Sequence, residues 1–242
     1  MTTEELFRED ATLEACEATV LALDEQGLVL DRTVFYPLGG GQAGDSGTFI
    51  TAGGATLVIA DTRKHQGLPG AITHVPAVGA DTAAFTPGTR VTARIDGTKR
   101  RAHMRFHTAT HLLCALVPHP VDGCSITAGY ARLDFHMNEP LDKDTLSAGI
   151  ARLVAEAHAV SHRWISEAEL DANPGLVRSM SVQPPRGLGR VRVLEIEGVD
   201  LQPCGGTHVA NTAEVGDVVV TKIEKKSAMT RRVVLGFAGG VA

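Results

Sequence analysis

The sequence is poor in aromatic residues. Phe, Tyr and Trp make up 4% of its 242 residues, and Trp164 is the single tryptophan. A nucleic-acid-binding strategy built on rows of stacked aromatics is therefore not an obvious one for this chain. Cysteine is also scarce. Cys16, Cys114, Cys124 and Cys204 form no Cys-x-x-Cys pair, which argues against a disulfide framework and for reduced thiols. Positive charge is not in surplus: 23 Lys and Arg stand against 28 Asp and Glu, for a net charge of -5. That balance excludes polyanion binding by bulk charge and leaves local basic patches open. No apolar run approaches the roughly 20 residues of a membrane-spanning helix. The first ten residues are acidic and polar, without the apolar core of a signal segment. A cytoplasmic location without a membrane partner is the expectation.

What is present fits a folded chain with a core. Hydrophobic residues amount to 43% and mean hydropathy is +0.03, and the length suits one large domain or two modest ones. From Thr12 to about Arg94 the pattern reads as β structure with short turns. The run from Glu17 to Leu23 turns at Asp24–Gly27 into Leu28–Leu30. A hairpin is predicted at Ala52–Gly54, between 47–51 and 55–60, and Ile72–Val75 and Arg90–Ile95 read as further strands. Short strands at this spacing suggest a small barrel. Asp96-Gly97 marks the boundary, dividing the chain into 1–95 and 96–242.

After Asp96 the period changes. Ala102, Phe106, Ala109, Leu113 and Leu116 recur at helical spacing up to Pro118. Tyr130–Phe135 alternates as a strand, and a second helix begins near Asp142, with Leu146, Ile150, Leu153, Val154 and Ala157 as its stripe. Arg163–Ile165 reads as a short strand and Ser166–Leu170 as a brief capped helix. Residues 184–189 read as a loop, then Val191–Ile196, Gly216–Ile223 and Arg232–Phe237 as strands. The fold class is α+β, with a β-rich first part and no internal repeat.

Two stretches carry chemistry. On the first helix, His103, His107 and His111 lie one turn apart, and any adjacent two are placed to ligate one metal ion. Cys204-Gly-Gly-Thr-His208 sets a thiol and an imidazole four residues apart. Folded together, the two stretches would give a nitrogen and sulfur donor set suited to zinc. A third stretch, Phe35–Gly47, contains Gly39-Gly40-Gly41-Gln42. Its glycines allow positive φ and close backbone approach, but its spacing is neither a dinucleotide fingerprint nor a Walker motif.

The chain carries Arg100-Arg101, His107-Thr-Ala-Thr-His-Leu-Leu113, Ala131-Arg-Leu-Asp-Phe135, Cys204-Gly-Gly-Thr-His208 and the Tyr36–Gly47 glycine segment. These segments, of which Tyr36–Gly47 comes first in the chain, together resemble the alanyl-tRNA editing proteins of the AlaX family, which are related to the editing domains of alanyl- and threonyl-tRNA synthetases. The resemblance runs from about Leu13 to Phe237. It implies an elongation-factor-like β-barrel followed by an α+β synthetase-type editing domain. It implies zinc on His107, His111, Cys204 and His208, leaving His103 outside the set. The implied activity is that of an aminoacyl-tRNA deacylase, a carboxylic ester hydrolase that removes Ser or Gly from tRNA specific for alanine, in trans.

Zinc in such a site either polarises a carbonyl, activates water or orients the substrate's amino group. A positioning role with a water near the metal as nucleophile is the reading favoured here. Thr108, Thr110 and Thr207 would offer hydroxyls to a seryl side chain, Thr108 and Thr207 being the candidates for substrate positioning. Gly39, Gly40, Gly41, Gln42, Arg100, Arg101, Ser125, Thr127 and Arg132 are the candidates for contact with aminoacyl-tRNA. Cys124 interrupts the small-residue segment expected to line the amino-acid pocket. Three other readings stand beside this one: a deacylase for threonyl-type or threonine-analogue tRNA, a non-catalytic metal-stabilised tRNA-binding module, and a degenerate synthetase fragment. No stable protein partner is implied.

Overall fold

Runs of apolar and β-branched residues, cut by glycine and aspartate turns, set up the first part of the computed structural model. The structure describes residues 1–180, 183–184, 186–187 and 189–240. Two compact units result. One comprises Met1–Gly39 and Ala43–Arg101, and the other takes in Gly40–Gln42 and the chain from Ala102 onward.

In the first unit the strands are β1 (Glu4–Glu5), β2 (Ala15–Asp24), β3 (Gly27–Leu30), β4 (Arg32–Thr33), β5 (Gly47–Thr51), β6 (Thr56–Lys64), β7 (Ile72–Pro76) and β8 (Arg90–Ile95). Six of them close into a barrel in the order β2-β3-β7-β6-β5-β8, while β1 pairs with β4 in parallel. The small barrel expected from strand spacing is therefore present, and β5 and β6 form the expected hairpin. At the β2–β3 turn Gly27 has φ +134, and an added Cβ would lie 2.3 Å from the His74 carbonyl oxygen. Only glycine fits there. Alternation along β6 and β8 turns Leu57, Ile59, Val91, Ala93 and Ile95 inward onto Phe35 and Phe49. Burying each of those two aromatic rings stabilises the unit by about 1.5–3 kcal/mol.

One buried charge pair belongs to this unit. Arg100 is 2% exposed and Asp45 1%. The Arg100 Nε donates to Asp45 Oδ1 at 3.3 Å and Oδ2 at 3.1 Å, Nη2 also donates to Asp45 Oδ2, and Nη1 donates to the Ala11 carbonyl at 2.8 Å. The same carboxylate accepts from the Tyr36 backbone N–H at 2.6 Å.

The helix α1 spans Gly97–Leu116. Asp96 caps it, its Oδ1 accepting from the Lys99 N–H at 3.0 Å. From His103 to Cys114 every residue but Arg105 is buried. The sequence pattern predicted one apolar stripe, whereas this part of α1 is enclosed on all sides, histidines included.

The second unit continues with β9 (Val121–Ile126), β10 (Ala131–His136), α2 (Lys143–Ala155), β11 (Val160–Ser166), α3 (Glu167–Ala172), β12 (Arg190–Ile196), β13 (Asp200–Pro203), β14 (Val218–Ser227) and β15 (Thr230–Phe237). A four-stranded antiparallel sheet has the order β14-β15-β10-β9, and a three-stranded one the order β11-β12-β13. Asp142 caps α2 by accepting from the Thr145 N–H at 2.7 Å. The helix buries Leu146, Ile150 and Leu153, and its Ser147 Oγ accepts from the Val220 N–H of β14 at 3.1 Å. Ser166 caps α3 in the same way.

The strand predicted over Arg163–Ile165 runs the longer course Val160–Ser166, and β9 and β13 have no counterpart in the sequence prediction. The loop predicted over 184–189 includes residues 185 and 188, which lie outside the described residues.

Candidate metal centre

Within the second unit, α1 contributes His107 and His111 one turn apart, and the loop after β13 contributes Cys204 and His208. One donor atom from each of the four lies within 4.8 Å of the other three. A tetrahedral zinc site with bonds of about 2.0–2.3 Å separates its donors by roughly 3.3–3.8 Å. The Cys204 Sγ is 3.5 Å from His107 Nε2 and 3.2 Å from His208 Nε2. Three imidazoles and one thiol at these separations fit zinc. His103 is buried on the same helix but stands outside the group.

Each imidazole is held from behind. The His107 Nδ1 lies 2.8 Å from Gln42 Oε1, His111 Nδ1 2.8 Å from Asp200 Oδ2, and His208 Nδ1 3.2 Å from Thr108 Oγ1. Occupied at Nδ1, each ring turns its Nε2 toward the shared centre, the arrangement that metal-ligating histidines require. These supports are themselves braced. Gln42 Nε2 donates to Thr207 Oγ1 at 2.9 Å, and its Oε1 also accepts from the Thr207 N–H at 3.1 Å. Gln202 Nε2 donates to both oxygens of Asp200, at 3.0 and 2.8 Å. Arg192 Nη1 donates to the carbonyls of Cys204, at 2.8 Å, and Gly206, at 3.3 Å.

The second glycine of the Cys204–His208 loop, Gly206, has a steric reason. A Cβ on Gly206 would lie 2.1 Å from His107 Cε1 and 2.9 Å from Gln42 Oε1. The loop approaches the imidazole more closely than any side chain allows.

Electrostatics suit the donor roles. Burial alone would raise the Cys204 thiol, but the neighbouring His107 and the hydrogen bonds from His107 and His111 outweigh it and hold the thiol well below its ordinary value. A thiolate is the ligating form. Burial, with the neighbouring His107 charge, pushes His208 down to about 3, which keeps it neutral. For His111 burial works downward, yet the hydrogen bonds to Asp200 and Cys204 prevail and raise it to about 10.

The other sequence candidates fall into place around this centre or apart from it. Gly40, Gly41 and Gln42 belong to the second unit and Gly39 to the first. Gln42 bridges to Ile126 of β9, and the Gly41 carbonyl accepts from the Ile126 N–H at 2.8 Å. Gly41 has φ +87 and presses on Cys124, whose Sγ would be 2.9 Å from a Cβ there. Ser125 and Thr127 thus flank the residue that pairs with Gln42. Arg132 lies opposite Ser125 and donates to Asp134 at 2.7 Å. Thr110 donates to the His107 carbonyl at 2.7 Å, and Thr127 accepts from the backbone of Gly129 and Tyr130. Arg100 is engaged with Asp45 in the first unit, where Arg101 is exposed with Glu14 at 3.9 Å.

The sequence matches relatives over nearly its whole length. An alanyl-tRNA editing protein AlaX-M of Methanosarcina barkeri is 33% identical over 239 residues, covering 95% of this chain and 97% of the relative. The chain belongs to the AlaX family. A second AlaX-M protein, from Saccharolobus solfataricus, is 30% identical over 243 residues, covering 96% of this chain and 97% of its own. The alanine–tRNA ligase of Pyrococcus abyssi is 32% identical over 250 residues, where 99% of this chain matches 26% of the ligase. Residues 191–234 match the threonyl and alanyl tRNA synthetase second additional domain, and residues 6–99 match the class II (A) tRNA synthetases.

In this AlaX family member, sequence reasoning did not find Asp200, Gln202 or Arg192. The available signal was the polar alternation of Asp200-Leu-Gln202 immediately before Pro203-Cys204. Gln42 was found as a candidate for substrate contact, and the structure places it against His107.

Proposed function

We propose that this protein is a zinc-dependent aminoacyl-tRNA deacylase that clears Ser or Gly from tRNA specific for alanine, acting in trans in the cytoplasm. The observation that carries the reading is the convergence of four donors whose three imidazoles are each fixed at Nδ1. Membership of a family named for alanyl-tRNA editing supplies the substrate class.

In this reading His107, His111, Cys204 and His208 hold zinc, which supplies Lewis-acid charge beside the ester. Four protein donors form a closed set, which favours substrate positioning over an open site. Hydrolysis adds water across the ester. The water oxygen bonds to the aminoacyl carbon, the bond to the ribose oxygen breaks, and that oxygen takes a proton to leave tRNA and a free amino acid. The chain's part is orientation. Gln42 and Asp200 hold His107 and His111 in place, while Thr108 and Thr207 act as positioning residues beside the donors. Gly41, Cys124 and Ser125 would border the amino-acid side chain, and Thr127 and Arg132 the ribose and phosphate.

The barrel, residues 1–95, is read as an elongation-factor-like domain that supports tRNA recognition with Gly39 and Arg101, and 96–242 as the editing domain. Arg100 would contribute to the same recognition through the fold, by way of Asp45.

The test is deacylation of tRNA charged with Ser, Gly, Ala or Thr, with and without chelator. Seryl and glycyl esters on tRNA specific for alanine should be cleaved, alanyl spared and all turnover lost with chelator. Preference for threonyl-tRNA would favour the threonyl-type reading. No turnover of any ester would leave a tRNA-binding module.

A further inference from the structure

The sheet β11-β12-β13 has two unlike faces. One packs Ile165, Val191 and Val193 against Leu170 of α3. Since side chains alternate and directly paired residues share a face, the other carries Trp164 opposite Arg192 and Leu194 opposite Gln202, with Asp200 on the same side. This second face leads to the metal centre, because Asp200 holds His111 and Arg192 holds the Cys204 and Gly206 carbonyls. At its outer end stands the chain's only tryptophan, 39% exposed, with the Arg190 guanidinium 4.4 Å from its ring centroid.

We propose that Trp164 and Arg190 form a stacking site for a nucleobase of the unpaired 3′ end of the aminoacyl-tRNA. The inference rests on the deacylase reading and deepens it. An ester held at the donors is attached to the terminal nucleotide, so the last unpaired nucleotides must lie close to the Cys204 loop. Trp164 is one cross-strand step from Arg192, the residue that grips that loop. An aromatic face accepts any base, and a stacked guanidinium adds cation–π attraction and a charge for the adjoining phosphate. Unpaired RNA ends are recognised by stacking their bases on aromatic side chains and Arg guanidinium planes.

Trp164 is its own reporter, since no other tryptophan contributes fluorescence. The full-length protein is titrated with uncharged transcripts of tRNA specific for alanine, one complete and one lacking the terminal CCA. The complete transcript should quench Trp164, with the truncated one binding about tenfold more weakly and quenching little. With seryl-tRNA as substrate, Trp164→Ala should raise KM about tenfold, a larger change than that in kcat, with Trp164→Phe recovering most of the loss. Arg190→Gln should raise KM in the same direction. Equal quenching by both transcripts, or an unaltered KM for Trp164→Ala in an enzyme that still cleaves seryl-tRNA, would overturn the proposal. A wild-type protein that cleaves no ester would instead overturn the deacylase reading, and CCA-dependent quenching would still decide for or against the stacking site.

Discussion

Gln42 and His107 are 65 residues apart in sequence, and the Gln42 Oε1 sits 2.8 Å from the His107 Nδ1. The glycine-rich segment therefore delivers an amide to the back of a candidate metal ligand. Removing it should loosen the imidazole without deleting a donor. Gln42→Ala is expected to weaken zinc affinity about 10- to 100-fold, the usual cost of losing such a support. Gln42→Glu, which keeps an acceptor oxygen, should lose less. Competition with a zinc-binding dye measures both, and equal affinity in Gln42→Ala and the wild type would contradict the assignment.

The donors themselves should separate sharply from their helical neighbour. His107→Ala and Cys204→Ala should each purify with little zinc, whereas His103→Ala, outside the cluster, should retain it. Gly206→Ala is expected to behave like a donor deletion, because its methyl group would overlap His107. Metal analysis of the four proteins decides the matter. Equal depletion in all of them would point to a different coordination set.

Stability of the first unit should depend on the Asp45–Arg100 pair. Asp45→Ala leaves a buried guanidinium without its carboxylate and should cost about 3–5 kcal/mol in urea unfolding. The double variant Asp45→Leu with Arg100→Met, which removes both charges, should cost less than Asp45→Ala alone. A normal urea midpoint for Arg100→Met together with weakened tRNA binding would instead assign the guanidinium directly to the RNA.

The barrel should also lose stability in acid through His74. This residue is fully buried, 2.8 Å from Thr33 Oγ1 through Nε2 and 3.1 Å from the Leu28 carbonyl through Nδ1. Burial lowers it to about 4 from its ordinary 6.5, with the Leu28 hydrogen bond opposing. Between those two values the unfolded chain takes up a proton that the folded chain refuses, so stability is full above about pH 6.5 and falls as pH drops toward 4, by about 3 kcal/mol at most. His74→Gln should flatten this part of the profile. The same slope in variant and wild type would show that other groups carry it.

The sequence announced some of these features and concealed others for physical reasons. Helical spacing and the Cys204–His208 loop singled out the histidines and the thiol, but spacing left three histidines in play. The family resemblance was needed to set His103 aside. The β-barrel was legible because its strands alternate cleanly between turns. β9 was not, since Asp122 and Gly123 break the pattern, and its pairing with β10 is what sustains it. β13 is four residues long, too short for its alternation to mark a strand, so its Asp200 and Gln202 stay hidden although they brace His111. Scarcity of aromatics makes a row of stacked aromatics a non-obvious strategy for this chain. The location of Trp164, on the face that leads to the donors, could come only from cross-strand register.

The most direct measurement is activity against bound zinc in one preparation, using seryl-tRNA specific for alanine as substrate. Chelator-stripped protein should be inactive, and activity should return in proportion to added zinc and level off at one ion per chain. Full activity in the stripped protein, or binding of one zinc with no hydrolysis, would contradict the account.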